Sequence, residues 1–282
     1  MNRYLITGAG GMLAYDLETA LSGREVLPLS RAELDITNLA AVRSAVEGYD
    51  VVINAAAYTG VDDAESNEDA AFAVNATGAG NLALAAAENG AILVQISTDY
   101  VFDGTATTPY PEDTPRGPVS AYGRSKAEGE RLVLTANGAR SYIVRTAWLY
   151  GAHGPNLAKT MLGLAATREQ VAVVTDQVGQ PTWTLDLARK IVEMIDVSAP
   201  YGIYHGTNTG EASWFDFARE VFSNAGLDPD RVTPTDSSAF IRPAPRPAYS
   251  VLGHDAWDAA DLDPLRDWRE ALAEAMDDEF LE

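Results

Sequence analysis

The chain has no cysteine, which excludes disulfides and thiolate metal sites. Lysine is nearly absent: it stands only at 126, 159 and 190, and every other fixed cation is arginine. Together the basic residues number 20 against 41 acidic ones, a formal net charge of −21. That balance argues against nucleic acid as a partner, because a phosphate backbone needs a basic surface. No apolar run is seen that approaches the roughly 20 residues of a bilayer span, so no membrane partner is expected. The stretch from Met1 to Gly8 runs straight into an apolar strand and leaves no room for a signal peptide. The expected location is cytoplasmic.

What is present is enough to fold. The 282 residues, 46% of them hydrophobic, suffice for one large α/β unit or two linked domains. The acids are interspersed with apolar residues at regular spacing, which speaks for a folded rather than a disordered chain. Such an acidic surface suits a halophilic interior: at about 1 M salt the screening length falls to roughly 3 Å, and the surface no longer repels itself strongly.

Apolar segments alternate with helical patterns. Tyr4 to Thr7 reads as a strand, residues 8–14 as a glycine turn, and a helix follows through about Leu21. Gly8, Gly10, Gly11, Met12 and Leu13 thus stand between strand and helix, where backbone N–H groups and the positive helix end can hold a pyrophosphate. The second strand, Glu25 to Leu29, ends at Ser30-Arg31. A carboxylate at this point would hold the 2′-hydroxyl of an NAD ribose. A hydroxyl and a guanidinium suit a 2′-phosphate instead, so NADPH is preferred, with NADH the alternative. An exposed arginine after a strand accounts for Arg31 nearly as well. Asp35-Ile36 precede a helix from about Asn38, and Val51 to Asn54 form a strand followed by Ala55-Ala56-Ala57, small enough to let a flat cofactor approach.

Further along, Ala-rich residues 70–89 read as a packed crossover helix, with Asn75 and Gly78 within it. Ile92 to Ile96 suits the middle of a parallel sheet and ends in polar Ser97-Thr98-Asp99-Tyr100, where open α/β sheets bind ligands. After a Pro-rich loop, 109–118, comes a helix that Ser120 can cap. It carries Tyr122 and Lys126, four residues apart and so on one face. A phenol titrates near pH 10, and a fixed ammonium beside it is expected to draw that value down. Residues 142–151 read as one further strand. Beyond it the pattern changes: helices near 156–167, 184–195, 213–225 and 265–276, strands at 171–174 and 202–205, an Arg/Pro-rich segment at 241–247 and an acidic tail.

Several motifs now agree in order and spacing: Asn54-Ala55-Ala56-Ala57-Tyr58-Thr59, the string Ser97 to Gly104, Tyr122-Gly123-Arg124-Ser125-Lys126, Arg145 to Gly151, Asn156 to Met161, Asp176 to Thr182 and Arg246 to Ser250. The chain resembles the extended short-chain dehydrogenase/reductase family of nucleotide-sugar enzymes, and within it the branch that reduces dTDP-4-dehydrorhamnose. The resemblance implies an α/β fold with a Rossmann-type doubly wound parallel sheet and a smaller α/β substrate lobe. Residues 1–151 would form the dinucleotide-binding part, with later returns near 176–207, and 152–282 most of a discontinuous lobe. It implies a catalytic trio of Thr98, Tyr122 and Lys126. Asp99 and Tyr100 would line the site, with Thr59, Trp148, Asn156 and Arg246 as substrate contacts. For Trp148 and Asn156 a core or capping role stands as the alternative. Arg242, Arg246 and Lys159 are the cations to hold an anionic nucleotide-sugar, arginine being suited by its bidentate fork.

Two residues depart from the family pattern: Ala14 replaces a third glycine, and Tyr249 stands where asparagine is usual. Some relatives form a homodimer through a magnesium ion held by carboxylates; Asp16 lies near one matching position and the other ligands stay unassigned. A 4-epimerase, a 4,6-dehydratase or a non-catalytic regulatory relative are the competing readings. Dehydratases follow the threonine with Asp-Glu, and here Asp99 is followed by Tyr100.

Overall fold

The computed structural model describes residues 2–280. Five strands, β1 (Arg3–Thr7), β2 (Glu25–Leu29), β3 (Val51–Asn54), β4 (Ile92–Thr98) and β5 (Ser141–Thr146), join the edge strand Gly202–His205 in one sheet. Every pairing in it is parallel, in the order β2-β1-β3-β4-β5-edge. Parallel strands need crossovers, and the helices that supply them cover both faces; this is why β3 to β5 are buried along their length and read as continuous apolar runs. On one face Leu13, Leu17, Leu187 and Ile191 pack the helices Met12–Ala20 and Thr184–Asp196 against the sheet. On the other, Val42, Leu82, Ala83 and Val133 do so for Leu39–Val46, Ala79–Asn89 and Ala121–Asn137. The direction of winding reverses between β1 and β3, and their carboxyl ends open the crevice where such sheets take ligands. The expected doubly wound α/β fold is present.

A second core lies outside this sheet, built from Tyr150, Trp183, Phe217, Phe222, Trp268 and Leu272. It includes the helices Leu157–Ala165, Trp214–Asn224 and Trp268–Ala275. Its strand Val171–Val174 pairs in parallel with Val232–Thr235.

Three sequence expectations need correction. The stretch 142–151 is not one strand: β5 stops at Thr146, Trp148 adopts a left-handed φ of 48°, and Leu149–Tyr150 leaves the sheet to pair with Thr182–Trp183. The last helix begins at Trp268, because Leu265–Asp267 is a strand and the Asp267 carboxylate caps the helix by accepting from Arg269 N. One helical stretch, Glu68–Asn89, is long and apolar enough by length and composition to cross a membrane, although 61% of that window is buried in the protein. Its middle, Ala73–Gly78, widens into π-helical geometry.

Candidate active site

A cleft of about 900 Å³ runs along the carboxyl ends of β1, β3 and β4. At one end is the turn after β1. Gly8 and Gly10 both have φ of 85°, a region closed to residues with a Cβ in ordinary circumstances. A Cβ on Gly8 would lie 2.6 Å from Ala56 N, so the turn packs directly on the small-residue loop after β3. A Cβ on Gly10 would meet nothing within 4 Å. No side chain caps the N-terminus of the following helix, and Met12, Leu13 and Ala14 of its first turn face the cleft. First-turn N–H groups lack intrahelical partners, so this end offers donors and a positive dipole to a pyrophosphate. Arg31, Asp35, Ile36, Ala55, Ala56, Ala57 and Thr59 continue the wall. This narrow, glycine-floored groove fits a dinucleotide.

The other end is formed where β4 finishes. The Thr98 hydroxyl donates to Asp99 Oδ1 at 2.9 Å and accepts from Tyr100 N at 3.2 Å. Ser120 caps the helix Ala121–Asn137 by accepting from Gly123 N, which sets the helix start so that Tyr122 and Lys126 face this strand end. A Cβ at Gly123 would fall 2.2 Å from Tyr100 O and one at Gly129 would fall 2.1 Å from Asn75 O, so the two glycines let the helix sit close. Tyr122 is half-buried and packs edge-on to Tyr100 with ring centroids 5.6 Å apart. Tyr122, Lys126, Thr98, Asp99 and Tyr100 all line the cleft.

Burial dominates the electrostatics. It pushes the Tyr122 phenol up to about 12; a hydrogen bond with Thr98 opposes the rise and the Asp99 charge adds to it. Desolvation brings Lys126 down to about 8, against the attraction of Glu130. The sequence expectation that Lys126 draws the phenol down is therefore not met in the structure. The physical reason is that loss of water dominates at the phenol, while the Lys126 ammonium is turned to the Ile96 carbonyl, to which it donates at 2.6 Å. Burial raises Asp99 to about 6, opposed by Ser250 and Thr98, and leaves its Oδ2 without a hydrogen-bond partner. The Thr146 hydroxyl, on β5 directly opposite Thr98, is also buried, unpartnered and on the cleft wall. Two unpaired polar atoms at one cleft end are what a site built for a polar ligand offers.

Behind the site lies a charged network. Glu130, buried and one turn after Lys126, accepts from Ser97 Oγ at 2.6 Å and from Arg145 Nε and Nη2 at 2.9 and 2.8 Å. Arg145 is itself buried on β5, so the pair locks the helix to both strands. Asn75 does the same from the crossover helix: it bonds Tyr58 N and O and donates to Ser125 Oγ at 2.9 Å. None of Asn75, Glu130 or Arg145 was assigned a role from sequence. A charged residue inside the apolar run 142–147, and a carboxylate four residues after Lys126, were the available signals.

Trp148 lines the cleft with its strained backbone, its ring stacked on Trp214 at 3.5 Å and 8°. A Cβ on Gly179 would press within 2.7 Å of that ring. Five sequence candidates, Ser30, Asn156, Lys159, Arg242 and Arg246, are not in the cleft wall. Ser30 Oγ and N both donate to Glu33 Oε2, at 2.7 and 2.8 Å. Asn156 caps the helix Leu157–Ala165, accepting from Lys159 N and donating to Gly151 O. Arg246 pairs with Asp62 at 2.9 Å, and Lys159 donates to the Ala152 carbonyl. Asp16 is buried, its carboxyl raised by desolvation, with Oδ2 unpartnered; among the described residues no three acidic or histidine side chains gather as a metal cluster.

Comparison with known proteins gives a consistent picture. The chain is 52% identical over 282 residues to a dTDP-4-dehydrorhamnose reductase of Streptomyces griseus, covering 97% of this chain and 93% of that protein. It is 47% identical to the dTDP-4-keto-6-deoxy-D-glucose reductase of Streptomyces niveus, covering 98% of this chain and 96% of that one. The crystal structure of a dTDP-4-dehydrorhamnose reductase from Bacillus anthracis in complex with NADP superposes with a TM-score of 0.94 at 40% identity, covering 98% of both chains. The model of the RmlD substrate binding domain matches residues 1–280, and the chain belongs to that family.

Proposed function

We propose that this protein is an NADPH-dependent oxidoreductase that reduces the C4 ketone of dTDP-4-dehydro-L-rhamnose to dTDP-L-rhamnose, for polysaccharide or glycan synthesis. The observation that carries the reading is the convergence of Thr98, Tyr122 and Lys126 at one end of a cleft whose other end is the glycine turn. The names of the Streptomyces and Bacillus relatives support the same substrate class.

When bound, the dinucleotide supplies a hydride to the ketone carbon. Tyr122 gives its proton to the ketone oxygen as charge gathers there. Thr98 donates a hydrogen bond to the same oxygen, where the stabilisation is needed most. Lys126 carries its ammonium at neutral pH, below its value of about 8, and would hold the nicotinamide ribose of the cofactor. Asp99 and Tyr100 contact the sugar; Thr59 and Trp148 bound its space. The glycine turn, with Met12 and Leu13, holds the pyrophosphate. Arg31 reaches the 2′-phosphate of the cofactor, since Ser30 is engaged by Glu33. Residues 1–151 with returns near 176–207 serve the dinucleotide and the rest of 152–282 the sugar. The surplus acid is a proposal of salt adaptation: the midpoint of thermal unfolding should rise from 0.1 M to about 1 M salt as surface repulsion is screened.

The test is to incubate the protein with NADPH and dTDP-4-dehydro-L-rhamnose, following absorbance loss and product. Equimolar NADPH consumption and dTDP-L-rhamnose support the reading; unchanged NADPH ends it. A second reading, reduction of another dTDP-4-keto sugar, is favoured by the 47% identity to the Streptomyces niveus enzyme. A panel of dTDP-4-keto-6-deoxy sugars compared by kcat/KM separates the two.

A further inference from the structure

One cluster of charges at the cleft mouth has no part in the chemistry so far. Asp62 sits on the short helix Val61–Ala64 after β3, next to the cleft-lining Val61. Its Oδ2 lies 2.9 Å from Arg246 Nη2 and 3.5 Å from Arg242 Nη1, and its Oδ1 accepts from Ala244 N at 3.2 Å. The two arginines come from a strap that crosses from the second core. On its far side the strap is anchored: Ser237 bonds Asp176, Pro247 packs on Gly104, and Ser250 N donates to Val178 O. Between these anchors Phe240 and Ile241 face solvent, Ile241 at 94% exposure. Asp62 is thus the main polar tie that draws the middle of the strap to the cleft. Tyr100, inside the cleft, feels both the Arg246 and the Asp62 charges, which places the cluster within electrostatic reach of the substrate end.

A guanidinium held by one carboxylate and one carbonyl (Arg246 Nη1 also donates to Ala244 O at 3.1 Å) keeps the geometry of an anion site while its charge is neutralised from within. On a protein of net charge −21, two unmasked arginines are the scarce resource for an anionic ligand. We propose that Asp62 is a resident stand-in for a diphosphate: it holds Arg242 and Arg246 at the cleft mouth and yields them when the diphosphate of the nucleotide-sugar arrives. This rests on the nucleotide-sugar reading above and adds to it the group that the substrate must displace. Asp62 acts through the arginines and is a positioning residue. It sets the cost of substrate entry, not the rate of the chemical step.

The test variant is Asp62→Asn, which keeps an acceptor for Ala244 N and removes only the charge. Binding of inorganic pyrophosphate is measured by calorimetry with NADPH saturating, so that the glycine turn is occupied. Because the pair is partly exposed, pyrophosphate should bind about three- to fivefold more tightly to Asp62→Asn than to the natural protein. In Arg246→Met the binding should weaken, and adding Asp62→Asn to it should restore little. KM for the nucleotide-sugar should fall by a similar factor with kcat and NADPH affinity unchanged. Unchanged or weaker pyrophosphate binding in Asp62→Asn would overturn the proposal and leave Asp62 as a brace for the strap. The pyrophosphate arm needs no turnover, so absence of reductase activity in the natural protein would count against the functional reading alone.

Discussion

The closed end of the cleft and the strap outside its wall, at the mouth, are built on opposite principles. The end at β4 is closed and dry: Thr98, Asp99 and Lys126 are all at or below 5% exposure, and burial moves the Asp99 and Lys126 groups towards neutrality. The mouth at residues 240–246 is wet, and its charges are satisfied by exchangeable ion pairs. Charge in low dielectric is expensive, so the closed end keeps only what the chemistry uses and braces it with a buried pair, Glu130–Arg145. Charge at the mouth is cheap and can be swapped for that of a ligand. The difference supports the proposal that reaction belongs to the closed end and recognition to the mouth.

The largest effect should come from the closed end. Tyr122→Phe removes the proposed proton donor and should lower kcat by about 10³-fold while NADPH affinity, read by fluorescence titration, stays within twofold. Retained turnover would erase the distinction between the two ends. Next is Arg145→Met, which strands the buried Glu130 carboxylate; urea unfolding should show a loss of about 3–5 kcal/mol. A loss below about 1 kcal/mol would mean that Arg116, 3.4 Å from Glu130, suffices alone.

Lys126 supplies a pH test of the dry end. Its value falls from 10.5 to about 8 on folding, so the folded state bears the full cost of a buried ammonium below pH 8 and is relieved of it as pH rises towards 10.5. The stability of the natural protein relative to Lys126→Met should therefore be constant below pH 8 and improve by about 3 kcal/mol between pH 8 and 10.5. A flat difference would show that the ammonium is not desolvated. The smallest effect belongs to the mouth: Arg242→Ala, more than half exposed, should change unfolding stability by less than about 0.5 kcal/mol.

The two ends also differ in how far the sequence disclosed them. At the closed end the signals were local. An apolar strand ending in Thr98, and Tyr122 with Lys126 at helical spacing, each follow from one element, as does the glycine turn at the opposite end, and the structure brings all of them to one cleft. What was missed there concerns packing between elements: that burial dominates at Tyr122 and raises its phenol, and that Glu130 meets Arg145 across fifteen positions of chain. At the mouth, Arg246 was recognised as a cation for an anion, but its partner Asp62 lies 184 positions away, and no periodicity links the two. Asn156 shows the reverse case. A residue named for substrate contact sits where its N-cap chemistry alone already accounts for it, before Leu157–Ala165. The break at Trp148 was hidden because an apolar run does not reveal a single left-handed residue.

In the proposed reaction the closed end reduces a sugar ketone at C4 with Tyr122 as proton donor. The most direct measurement is a single-turnover reaction with NADPH deuterated at the transferable position, the sugar product being read by NMR. One deuterium is expected at C4 of a dTDP-6-deoxyhexose per NADPH consumed, formed at least about 10²-fold more slowly by Tyr122→Phe. Deuterium at another carbon, or equal rates in the two proteins, would contradict it.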